Sequence, residues 1–164
     1  MEKGNTSKNE EAIAQFKRQY SKESETYKLP SLVDVDKEFY LIDRVGAEGY
    51  CTIGIITYTR SHILRYINGW ASYVNEYIMP NQQNIASMES ANHLNDDDRE
   101  KITNFIGWAT YIAKCANLIQ LGGDNLAKNA ELIKQMMHEW RAQREIMSKI
   151  FKKDVDAWKA SLSE

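Results

Sequence analysis

Residues 38–59 read EFYLIDRVGAEGYCTIGIITYT, and whether this stretch is strand or helix separates an α+β chain from an all-α one. Glu38 to Val45 and Tyr50 to Thr59 are rich in β-formers and flank Gly46-Ala47-Glu48-Gly49, which is the composition of a β-hairpin. The spacing argues the other way. From Ile53 the apolar residues Ile56, Ile63, Ile67, Trp70, Val74 and Ile78 recur every three to four positions without losing phase. The expectation is therefore one helix over about 50–79 that stops at Pro80. The expected fold class is mainly α, an elongated antiparallel helical bundle with a long C-terminal helix. An α+β fold with a β-hairpin at about 38–59 is the alternative.

Upstream, residues 1–8 are polar, and Asn9 can cap a short helix from Glu10 to about Tyr27 with Ile13, Phe16 and Tyr20 on one narrow face. That narrowness divides the chain into a flexible N-terminal arm, 1–28, and a single helical-bundle domain, 29–164. After Pro30, Ser31 precedes Leu32, Val35, Phe39, Ile42 and Val45, which keep helical spacing up to Gly46. Downstream, the Asn/Gln/Ser-rich stretch from Asn81 to Asn95 allows at most a short helix. Asp96, Asp97 and Asp98 then cap a helix that runs to about Leu121. Gly122-Gly123 ends it, and Asp124 or Asn125 starts the last helix, making a tight antiparallel αα-hairpin.

Two six-residue stretches repeat almost residue for residue, Gly69-Trp70-Ala71-Ser72-Tyr73-Val74 and Gly107-Trp108-Ala109-Thr110-Tyr111-Ile112. Glycine inside a helix costs about 1 kcal/mol relative to alanine, and close approach of two backbones is the usual reason to keep it. Gly69, Trp70, Gly107 and Trp108 are accordingly expected to mark a crossing of duplicated helices within one bundle. Two copies are too few for a solenoid.

The last helix carries Leu126, Ile133, Met137, Trp140, Met147, Phe151, Val155, Trp158 and Leu162 in a sustained three-four stripe. At 1.5 Å per residue it is about 55 Å long against about 36 Å for the helix before it. Roughly 20 Å of apolar stripe, from Phe151 to Leu162, must be covered by the first half of the chain or by another subunit. Phe151, Val155, Trp158 and Leu162 are therefore the expected interface residues.

Composition narrows the function classes. The chain has 164 residues, 43% hydrophobic and 27% charged, and a net charge of −2, which exerts no overall pull toward nucleic acid or anionic lipid. Charge is uneven, however: residues 141–159 hold six basic and three acidic residues, a local +3. Arg141, Arg144, Lys149, Lys152 and Lys159 could contact phosphates, but Glu145 and Asp156 share that sector, so a solvated charged face is the plainer reading. Cys51 and Cys115 are too few for a disulfide framework and suit a reducing, cytoplasmic setting as free thiols. The start lacks an apolar signal core. The most apolar run, Ile102 to Leu121, contains Asn104, Lys114, Asn117 and Gln120, which fits a bundle helix better than a membrane span.

No catalytic residue, cofactor site or metal site is expected. Glu-x-x-His pairs for a di-metal bundle are missing, Glu131, His138 and Glu145 sit among Lys134, Arg141 and Lys152, and the pattern begun by His138-Glu139 ends at Ala142 and Gln143. The aspartates at 96–98 lack the alternating ligands of a calcium loop, and Gly46 and Gly49 lack a phosphate-loop context. The expected function is that of a non-enzymatic helical interaction or assembly subunit, a homo-oligomer or one docking on a protein partner through its long C-terminal helix. The alternative is a nucleic-acid-associated helical protein using the basic face of that helix.

Overall fold

The computed structural model of the chain describes residues 3–48 and 54–163. Among the described residues there are seven helices and no strand: α1 Lys3–Tyr27, α2 Leu32–Phe39, α3 Leu41–Glu48, α4 Ile55–Ile78, α5 Ile85–Asn92, α6 Asp96–Leu121 and α7 Leu126–Ser161. The protein is an all-α helical bundle with a long C-terminal helix. The β-hairpin over 38–59 is not supported, because the described part of that stretch is helical on both sides of residues 49–53. Its β-branched residues Val45, Ile55, Ile56 and Thr59 are buried within helices instead, and the buried face of α4 continues beyond the stretch through Ile63 and Ile67. The expected start of a helix at residue 50 and the free-thiol expectation for Cys51 fall outside the described residues. Cys115 is a free cysteine.

The chain divides into two compact units, Met1–Tyr66 with Cys115–Met137, and Ile67–Lys114 with His138–Glu164. In the first unit, Phe16 and Tyr20 of α1 are buried; the Phe16 ring meets Tyr58 edge-on at 5.8 Å, and the Tyr20 hydroxyl donates to the Pro30 carbonyl at 2.9 Å. Gly46 allows α3 to lie close to α1, since a Cβ there would come within 3.2 Å of Ile13 Cδ1.

The sequence periodicity runs α2 and α3 together as one helix, and the structure breaks it at Tyr40, whose φ of 54° and ψ of 43° are left-handed. Asp36 explains how. Its carbonyl accepts from the Tyr40 N–H at 2.8 Å while its carboxylate caps α3 by accepting from the Ile42 N–H at 2.6 Å. The packing explains why. Phe39 and Leu41 are both fully buried, yet on a continuous helix they would point about 200° apart.

The α6–α7 hairpin closes as the glycine pair implies. Gly123, at φ 95°, follows α6, and the Asp124 N–H reaches back to the Ile119 carbonyl at 3.1 Å, with Asn125 then capping α7 through the Lys128 N–H at 3.0 Å. This turn is tied to α4 by Arg60, only 5% exposed. Its guanidinium donates to Asn129 Oδ1 at 2.8 Å and Asp124 Oδ1 at 3.2 Å, and Thr57 Oγ1 donates to Asp124 Oδ2 at 3.0 Å. The Asn129 amide, with Thr57 and Arg60, holds the Asp124 carboxyl below the usual carboxylate range.

In the second unit, Ile67, Val74, Ile102, Phe105, Ala109, Ile112, Trp140, Met147 and Ile150 form the core. The cap of α6 is Asn95 rather than the aspartates that follow. Its side chain accepts from the Asp98 N–H at 2.8 Å and its own N–H donates to Asp98 Oδ2 at 3.2 Å, a reciprocal box to which Lys153 adds an ion pair. Among the described residues no helix is long and apolar enough to cross a membrane.

Candidate interaction site

The 36 residues of α7 exceed the 26 of α6, and within the second unit the C-terminal part of α7 meets residues from the first half of the chain. Phe151 lies in a nest of α4 rings, with centroids of Trp70, Tyr73 and Tyr77 each 5.7 Å away. One turn on, Asp154 is 5% exposed and accepts from Tyr77 Oη at 3.0 Å, Ser90 Oγ at 3.1 Å and His93 Nδ1 at 2.6 Å. Burial, with Tyr73 and the Asp154 carboxylate beside it, pushes the Tyr77 hydroxyl up. Trp158 continues the same side: its indole N–H donates to Ser90 Oγ at 3.0 Å and its ring meets His93 edge-on at 5.7 Å.

This cluster was missed in the sequence, where Asp154 counts as one more charge in a charged segment. The signal was there. Asp154 lies seven residues after Met147 and four before Trp158, so it falls inside the buried stripe, where a carboxylate needs donors.

Serine, histidine and aspartate together suggest nucleophilic catalysis, but the connections differ from those such chemistry needs. Ser90 donates to the aspartate and not to the imidazole, and its oxygen already accepts from Trp158. The arrangement joins α4, α5 and α7. Among the described residues no group of three or more His, Cys, Asp or Glu is placed to hold a metal ion.

Of the four expected interface residues, Phe151 and Trp158 are therefore half-buried against α4 and α5, while Val155 is 49% exposed and Leu162 81%. Val155, within α7, and Leu162, one residue past its end, are seven residues apart; the Leu162 N–H still bonds the Trp158 carbonyl at 3.2 Å, which keeps the two near one angle of the helix. Lys152 and Lys159 flank that edge and are exposed.

Two of the five basic residues are met by acids within the same helix. Lys149 pairs with Glu145 at 2.8 Å and Lys159 lies 3.9 Å from Asp156, both within α7; Arg141 and Arg144 are exposed and also have partners.

The expected glycine crossing is corrected. Gly69 and Gly107 are exposed, and a Cβ at either position would meet nothing within 4 Å. The duplication is nevertheless expressed in three dimensions: Val74 and Ile112 are fully buried, Trp70 and Trp108 half-buried, and Tyr73 and Tyr111 exposed. Trp108 bonds Glu139 at 2.5 Å, whereas Trp70 stacks on Phe151, so the two tryptophans meet different neighbours on α7. No family model, no curated protein and no solved structure matches this chain.

Proposed function

We propose that this chain is a non-enzymatic helical interaction subunit that associates with a second copy of itself through the C-terminal part of α7. The supporting observation is the Val155–Leu162 edge, an apolar line left open beside Phe151 and Trp158, which α4 and α5 half cover. Its spacing suits a two-fold pairing of antiparallel helices, because Val155 of each copy then meets Leu162 of the other. The polar cluster around Asp154 directs its donors at its own carboxylate and joins helices, which favours a structural over a chemical role.

The test is sedimentation or light scattering over a concentration series on the untagged chain. A concentration-dependent dimer that V155D/L162D weakens at least tenfold supports the reading. A monomer throughout, or a dimer indifferent to the double substitution, removes it. Co-elution with nucleic acid would instead transfer α7 to phosphate binding through Arg141, Arg144, Lys149, Lys152 and Lys159.

A further inference from the structure

Helix α5 is built inside out. Its inward contacts are polar, Ser90 and His93 on Asp154 and Ser90 on Trp158, with Arg99 Nη2 bonding the Ala91 carbonyl at 2.6 Å. Only Ala91 within the helix, and Leu94 after it, supply buried apolar contact. Its large apolar residues face away: Ile85 and Met88 lie about 140° and 160° around the helix from Ser90, and both are exposed.

We infer that α5 is a releasable strap, latched by Ser90 and His93 onto Asp154, and that its release widens the self-association edge of α7 to include Trp158. The energetics follow from what each contact loses on opening. Hydrogen bonds broken in water are largely replaced by bonds to water, whereas buried apolar surface is not recovered. An element held by polar ties and two small apolar contacts opens well before its unit unfolds. Asn84 caps α5 from its own side chain through the Ser87 N–H at 3.3 Å, so the strap keeps an N-cap of its own when it lifts.

The link to association is one of area. A stable interface buries about 800 Å² per partner, more than Val155 and Leu162 can supply, and an indole brings roughly 150–250 Å². Trp158 stands four residues before Leu162 on the same stripe, and its indole N–H is engaged by Ser90 of α5 and its ring by His93, the residue that caps α5. This inference rests on the self-association reading, but its first test does not.

Amide hydrogen exchange on the dilute full chain should find residues 86–93 exchanging at least tenfold faster than the buried turns of α4 and α7 around Val74 and Met147. S90A/H93A, which leaves the Tyr77–Asp154 bond in place, should speed 86–93 at least another tenfold while α4 and α7 keep their protection. In sedimentation the same variant should tighten self-association at least tenfold. Exchange of 86–93 in step with α4 and α7, or indifferent to the double substitution, would overturn the strap, and the wild-type measurement decides this even if the variant fails to fold. Faster exchange with unchanged or weaker association would overturn its control of assembly. If V155D/L162D behaves as wild type in sedimentation, the self-association reading itself fails, while the exchange result still judges the strap.

Discussion

Two buried polar knots hold this chain together, and they act in opposite ways. In the first unit Arg60, in the second turn of α4, ties that helix to the αL turn at Asp124 and to Asn129 on α7. Those elements also bury apolar residues of their own beside it, Ile56 and Ile63 on α4 and Ile133 and Met136 on α7. In the second unit Asp154 ties α5 to α7, and α5 buries only Ala91, its large apolar residues Ile85 and Met88 being exposed. The first knot is added to packing; the second replaces it. A polar cluster therefore stabilises or merely latches according to what surrounds it, whatever its own hydrogen-bond geometry.

The sharpest way to break the comparison is to remove the first knot. Arg60→Met leaves the buried Asn129 Oδ1 without the donor Arg60 supplies and takes from the Asp124 carboxylate one of three donors, the Asn129 amide and Thr57 hydroxyl remaining, and should lower the unfolding free energy in urea by about 2 kcal/mol, Asp124 being partly open to solvent. A loss no larger than that of S90A/H93A, for which about 1 kcal/mol or less is expected because lifting α5 lets water replace the donors lost to Asp154, would erase the distinction between lock and latch.

Smaller, and of opposite sign, is the effect of the duplicated glycines. Gly69→Ala and Gly107→Ala place a methyl in open space inside a helix, so each should stabilise by about 0.5–1 kcal/mol. Thermal unfolding checks this. Destabilisation at either site would mean that a neighbour approaches the backbone there after all.

The least effect is expected from His62, which belongs to the first unit and donates its Nε2–H to the Phe39 carbonyl at 2.7 Å. Burial holds this imidazole below its ordinary value, so the unfolded chain takes up the proton first. Its contribution is complete above about pH 6.5 and is lost as pH falls through that value toward the folded one. Stability measured from pH 7.5 down to 5.5 should decline, and His62→Gln should flatten the decline; an equal slope in both proteins would count against the assignment.

How much was legible depends on whether the information is periodic or positional. The helical phase of Ile56, Ile63 and Ile67, the Gly122-Gly123 stop and the stripe of α7 are written in spacing, and each appears in the structure. The break at Tyr40 is not, because Leu32 to Val45 keeps one phase and only the joint burial of Phe39 and Leu41 requires a left-handed residue between them. The glycine crossing failed for the same reason. Propensity states that Gly69 and Gly107 are costly in a helix, but not whether anything lies against them.

The sequence by itself therefore determined the helical class, the long last helix and the tight turn before it, since these depend on residues within a few positions of one another. Tertiary structure alone decided that Asp154 gathers Tyr77, Ser90 and His93, that Arg60 reaches Asp124 across 64 positions, and that Val155 and Leu162 stay open while Phe151 and Trp158 are covered. These are pairings between distant segments, and neither residue of such a pair carries in its own neighbourhood the identity of the other.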